Sequence, residues 1–351
     1  MSDLILNILQ VLGALGMFVY GMKITSEALQ RIVGIRLAKL LQHNAPDNFL
    51  RGVLKGSFIN GLVQSSTATS LMTISFVNAG LLSFEQSMNV IMGINIGSSA
   101  TAWVIALLGF KFTLSYFSVG LIGFFFPFIF TKNATLKNLA EFAIGMGILL
   151  LGAEFLKEIL PYLNNNYKLA EWLAPVTHSG YLSIILFLFI GGILTFILQS
   201  SSAVLAISLV FLSQGWLSIE ASAALALGEN IGTSFNIQRI ARNGNIDAKR
   251  AAGFHIYFNI GGLIWILLFM PVFLNVVEKF IGIIELVMPI SKSNKIILSL
   301  PVFHTLFNIV NIALLIGFIP VVERYLLDKY PASRKTDEEF HLRYINTSLL
   351  A

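Results

Sequence analysis

The chain of 351 residues has no cysteine, only 9 prolines and few charges. The missing thiols exclude disulfides, thiolate metal sites and cysteine nucleophiles. Charged residues make up 12% of the chain against 56% hydrophobic, and the mean hydropathy is +0.79. A soluble domain carries roughly twice that charged fraction. No Gly-x-Ser-x-Gly elbow and no His-Glu-x-x-His pair is present, which argues against the hydrolase and metalloprotease classes and makes an enzyme the poorer reading. Met1-Ser2-Asp3 supplies no basic flank before the apolar run Leu4 to Tyr20. That run reads as a retained first helix, not a cleaved signal peptide. The net charge of +5 sits in loops between apolar runs, so it reads as an orientation signal and not as a nucleic-acid patch.

What is present is a series of apolar stretches of about 20 residues, each long enough to cross a bilayer. The fold class expected is an all-α polytopic membrane protein. Full spans are expected near Leu4 to Leu29, Phe112 to Phe130, Leu136 to Leu160, Ala252 to Val277 and Ile296 to Val322. The 29 phenylalanines and 28 glycines fit lipid-facing surfaces and close helix approach. Arg31, Arg36, Lys39, Arg51 and Lys55 face one acid, Asp47, in a short segment; Arg239, Arg242, Lys249 and Arg250 face Asp247 in another. Both loops are therefore expected in the cytoplasm.

Within this apolar background Gln64-Ser65-Ser66-Thr67 recurs as Gln199-Ser200-Ser201-Ser202. Four consecutive hydrogen-bonding side chains are expensive to bury without partners. Each copy is followed, 29 residues on, by a second motif: Gly93-Ile94-Asn95-Ile96-Gly97-Ser98-Ser99 and Gly228-Glu229-Asn230-Ile231-Gly232-Thr233-Ser234. Both motifs thus recur at one offset of 135 residues. Serine-rich helix packing explains a single copy well; twin motifs at a fixed spacing point to a duplicated site.

The arms around each Gln-Ser-Ser are mostly too short for a full crossing, so each is expected to form a re-entrant hairpin with its polar tip lining a cavity. Gly93 and Gly97, like Gly228 and Gly232, are expected to break the helices 84–108 and 219–240 in mid-membrane. Counting each hairpin as no net crossing puts both basic loops on one side and inverts the halves. The expectation is two inverted repeats, 1–165 and 166–323, each with a re-entrant hairpin and a broken transmembrane helix, then a cytoplasmic tail or linker at 324–351. Broken helices meeting at the midplane of inverted repeats are a transporter architecture.

The paired motifs resemble the type II sodium-dependent phosphate cotransporters. Gly16-Met17-Phe18-Val19-Tyr20-Gly21-Met22-Lys23 and Pro301-Val302-Phe303-His304-Thr305-Leu306-Phe307-Asn308 are similar to the bacterial branch. The resemblance implies Na+-coupled inorganic phosphate transport in a bacterial plasma membrane, with Na+ as coupling ion and no other cofactor. Phosphate would be held at Gln64, Ser65, Ser66, Thr67, Gln199, Ser200, Ser201 and Ser202. Na+ would lie near Asn95, Ser98, Asn230 and Thr233, with Glu229 a further candidate. The partners implied are phosphate, Na+, membrane lipid, a homo-oligomer and a PhoU-type domain after the tail. Glu229 departs from the family pattern, which has a small residue there; an acid inside a span is usually functional or paired. His255 with Asn259, and His304 with Asn308, read as interhelical hydrogen-bonding pairs. The alternatives are a carrier of another anion, such as a carboxylate, and a phosphate sensor feeding a regulatory domain.

Overall fold

The computed structural model describes residues 2–42, 48–108, 115–167, 169–177, 179–287 and 292–331. The charged tail beyond 331, the loop at Lys111 and His178 lie outside them. The described residues form helices alone, in the order α1 (Ser2–Gln42), α2 (Phe49–Val63), α3 (Ser66–Asn78), α4 (Phe84–Leu108), α5 (Ser115–Phe125), α6 (Ala134–Tyr167), α7 (Leu169–Thr177), α8 (Tyr181–Leu198), α9 (Ser201–Ser213), α10 (Ile219–Ala241), α11 (Ile246–Val287), α12 (Lys292–Leu315) and α13 (Ile319–Lys329).

Among the described residues six helical stretches are long and apolar enough to cross a membrane: Ile5–Gly34, Phe84–Leu107, Ala134–Leu163, Tyr181–Leu198, Ile246–Val287 and Asn294–Lys329. Of the expected span at 112–130, residues 112–114 lie outside the described residues, and the rest form α5 followed by a 3-10 turn, Phe126–Phe130. α10 is not among the six, because Ser222, Glu229, Asn230, Thr233, Ser234 and Asn236, all buried, make it too polar. The distribution of polarity is inside out. Leu54, Phe58, Leu182, Phe189 and Leu268 are exposed, whereas Asn95, Glu229, His255, Asn259, His304 and Asn308 are buried. Water would penalise that arrangement; a hydrocarbon surround favours it. The chain is a multi-pass membrane protein.

The helices are placed by glycines. A Cβ on Gly93 would lie 2.0 Å from the Val53 carbonyl oxygen, and one on Gly97 2.4 Å from that of Ser57, so α4 runs against the bare backbone of α2. α10 meets α8 in the same way: Gly228 and Gly232 would place a Cβ 2.1 Å from Leu188 O and 2.4 Å from Gly192 O. This corrects the expected breaks. Helices α4 and α10 run unbroken through both Asn-Ile-Gly motifs, because these glycines serve close packing and not chain reversal.

The breaks fall at the Gln-Ser-Ser motifs instead. Gln64 (φ 57°) ends α2 and Gln199 (φ 53°) ends α8 in the left-handed conformation, the two non-glycine residues with positive φ among those described. Each holds its amide on the carbonyl four residues back, Asn60 at 2.8 Å and Thr195 at 2.9 Å. Ser65 and Ser200 then cap α3 and α9, accepting hydrogen bonds from the Ala68 and Ala203 amides, both at 3.3 Å.

α10 connects the bases of the two helix pairs. At its N-terminus the Ser218 cap donates to Thr177 O, which also accepts from Ser183 of α8. Just past its C-terminus the Asn245 amide donates to Asn78 Oδ1 at the end of α3. The 23 residues between make about 35 Å of helix.

Candidate functional site

The two tips meet. The Ser66 and Ser201 hydroxyls, at the first residues of α3 and α9, hydrogen-bond at 2.7 Å, and both side chains are buried. A small pocket around them is lined by Gln64, Ser66, Ser98, Thr101, Ser201, Ser202, Leu205 and Glu229. Two 13-residue helices therefore point their N-termini at one place. The first amides of such helices have no intrahelical partner and carry the positive end of the dipole. Converging N–H groups and hydroxyls form an anion-binding arrangement. Lys and Arg are absent from this lining.

Not all eight expected phosphate residues line the pocket. Gln64, Ser66, Ser201 and Ser202 do; Ser65, Thr67, Gln199 and Ser200 do not. Ser65 and Ser200 accept from backbone amides as caps, although a capping hydroxyl keeps its own hydrogen to donate. Gln199 is exposed, whereas Gln64 is partly buried and its Nε2 donates to Gly61 O at 2.5 Å. Thr67 Oγ1 is buried with no hydrogen-bond partner among the described residues.

The expected cation residues divide into two groups. Ser98 and Glu229 line the tip pocket itself. Asn95 lies in a polar bridge between helices: its Nδ2 donates to Asn259 Oδ1 at 2.9 Å, and Asn259 Nδ2 donates to Ser234 Oγ at 2.7 Å and Asn230 O at 3.4 Å. Thr233 Oγ1 and Asn230 Nδ2 are buried without a partner among the described residues. Because α4 and α10 stay helical, no unwound carbonyls are available here; the oxygens on offer are side chains. Among the described residues no three His, Asp or Glu side chains converge, so a cation here would be held mainly by neutral oxygens, which suit Na+ as a hard ion.

The interhelical role expected of Asn259 is met by that bridge. Asn308 differs, since its Nδ2 donates to His304 O within α12. His304 Nε2 instead lies 3.8 Å from Glu229 Oε1, with both side chains almost fully enclosed. Glu229 thus has a neighbour, while its Oε2 has no hydrogen-bond partner among the described residues.

Thr101, Asn60 and Thr69 were not singled out by sequence. Asn60 Nδ2 donates to Ile94 O at 2.7 Å, and Thr69 Oγ1 donates to Asn60 Oδ1 at 3.1 Å, tying α2, α3 and α4 together behind the first tip. A signal was available for Thr101: its partner at the 135-residue offset is Asn236, another buried polar residue, which donates to Thr195 O.

The chain is 31% identical over 233 residues to the uncharacterized protein YqeW of Bacillus subtilis, covering 66% of this chain and 73% of that one. It is 26% identical over 322 residues to YjbB of Salmonella typhimurium, whose name proposes inorganic phosphate export; the match covers 91% of this chain and 55% of the relative. A shorter match, 33% over 105 residues, reaches sodium-dependent phosphate transport protein 2A of Rattus norvegicus, covering 30% of this chain and 16% of the relative. No solved structure matches. The Na+/Pi-cotransporter family model matches residues 17–158 and 164–303, each of which contains one Gln-Ser-Ser tip and one Asn-Ile-Gly helix, and the chain belongs to that family.

Proposed function

We propose that the chain is a secondary active transporter that couples Na+ to inorganic phosphate movement by alternating access. The observation that carries this reading is the contact between the duplicated tips, Ser66 to Ser201 at 2.7 Å in a buried pocket. Phosphate would bind there, taking hydrogen bonds from the Ser66, Ser201 and Ser202 hydroxyls, the Gln64 amide and the first amides of α3 and α9. Hydrogen bonds to a charged group contribute about 1.5–3 kcal/mol each, so a few such donors hold an oxyanion well. With no Lys or Arg in the lining, the anion's charge must be offset by cations that bind with it. That need is the physical reason for coupling, and Na+ would sit near Asn95, Ser98, Asn230 and Thr233.

The same reading treats α2–α3 and α8–α9 as re-entrant hairpins from opposite membrane faces, within inverted repeats at 1–165 and 166–323. Support comes from α10, whose two ends contact the bases of the two hairpins, and from the meeting of their tips between those bases. The basic residues Arg239 to Arg250 then lie beside the first hairpin's base, consistent with a cytoplasmic face in a bacterial plasma membrane. Tyr330, just past α13, whose carbonyl accepts from Arg250, falls on that same face. Export is a second direction for the same machinery, favoured by the name of the YjbB relative; direction follows the gradients.

The test is radiolabelled phosphate uptake into proteoliposomes under an inward Na+ gradient, compared with an inward K+ gradient. Sodium-dependent accumulation is the expected result. Correctly inserted protein that accumulates no phosphate would move the reading to another anion or to a sensor.

A further inference from the structure

Glu229 marks the sharpest chemical difference between the two halves. Its counterpart at the 135-residue offset is Ile94, so the duplicated site has an acid on one side and an alkyl chain on the other. Every other polar group lining the tip pocket is a hydroxyl or an amide: Gln64, Ser66, Ser98, Thr101, Ser201 and Ser202. Those groups can donate hydrogen bonds to any oxyanion. An ionised carboxylate offers acceptors only. Glu229 is 1% exposed, and its Oε2 has no hydrogen-bond partner among the described residues. Its Oε1 faces His304 of α12 at 3.8 Å, too far for a hydrogen bond.

We propose that Glu229 is the specificity-determining residue of the tip site, accepting a hydrogen bond from a proton carried by the bound oxyanion. This inference rests on the phosphate reading above. Phosphate and arsenate each carry at least one hydrogen in neutral solution. Sulfate and monofluorophosphate are similar in size and charge but carry none. Bound between the tips, a proton-bearing anion satisfies both the donors and the Glu229 acceptor. With a co-bound Na+ holding Glu229 ionised, a proton-free anion satisfies the donors and then sets its own lone pairs against a buried carboxylate, with like charges in contact. A site that leaves a buried polar group unpaired rejects the analogue strongly. The acid therefore supplies what the serines cannot, since hydroxyls alone do not distinguish phosphate from sulfate.

The experiment is competition against radiolabelled phosphate uptake by the full chain in proteoliposomes, with arsenate, sulfate and monofluorophosphate as competitors. For the unaltered protein, arsenate competes as phosphate does, and a large excess of sulfate or monofluorophosphate does not. In Glu229→Gln the side-chain amide can donate, and sulfate gains at least roughly tenfold in competition relative to arsenate. A merely structural role would lower uptake without changing that ratio. Glu229→Gln that transports phosphate with sulfate still excluded overturns the proposal. Should that variant fail to insert, the unaltered protein decides: monofluorophosphate competing as well as arsenate overturns it. No phosphate uptake at all by the unaltered protein is the separate result that removes the phosphate reading and this one with it.

Discussion

The two halves agree in backbone and differ in chemistry. At the 135-residue offset, Gly56, Gly93 and Gly97 correspond to Gly191, Gly228 and Gly232, and each pair has its helix partner's backbone within 2.4 Å of where a Cβ would stand. The left-handed Gln64 matches Gln199, the caps Ser65 and Ser200 match, and the turns after α3 and α9 match at Gly80 (φ 71°) and Gly215 (φ 72°). The side chains around the tips do not keep this symmetry. Ile94 corresponds to Glu229, Asn60 to Thr195, and Thr101 to Asn236. Gln64 lines the pocket while Gln199 is exposed. The duplication preserved what shapes the chain and let the side chains around the tips diverge. A left-handed non-glycine costs about 1–2 kcal/mol; such strain is typical of functional sites, and it was kept in both copies.

The largest expected effect tests the shared backbone. Gly93→Ala and Gly228→Ala each drive a methyl to about 2 Å from a carbonyl oxygen, and overpacking of this kind costs about 1–3 kcal/mol or more. Thermal unfolding of the purified protein in detergent should show the same loss for both. A large loss for one and none for the other would break the equivalence of the α2–α4 contact with the α8–α10 contact. A smaller effect tests the asymmetry. Gln64→Ala removes a pocket-lining amide and should weaken phosphate affinity about tenfold, the worth of one hydrogen bond near 1.4 kcal/mol. Gln199→Ala should leave affinity nearly unchanged. Equal losses in a phosphate concentration series would restore symmetry to the tips.

Much of this was legible in the sequence for a physical reason. Polar clusters inside apolar runs are costly, so Gln64 to Thr67 and Gln199 to Ser202 stood out, and their fixed spacing from Asn95 and Asn230 marked a duplication. The placement of the chain breaks was only half legible. Glycine flanking asparagine reads equally as a helix break or as a close helix contact, and only the neighbouring backbone of Val53 and Leu188 decides between them. The capping of α3 and α9 by Ser65 and Ser200 was hidden because a serine's partner depends on where its helix starts. The direction of Gln199 depends on packing that no local pattern encodes. The contact of Glu229 with His304 joins residues far apart in the chain, on α10 and α12, and no spacing rule connects them.

The central claim, that the two tips form one site, can be tested in a chain with no native cysteine. Ser66→Cys combined with Ser201→Cys replaces hydroxyls 2.7 Å apart, close to a disulfide's sulfur separation of about 2.05 Å. The account predicts an intramolecular cross-link under mild oxidation in the double variant alone and in neither single variant, reversed by reduction. Correctly inserted double variant that does not cross-link would contradict it.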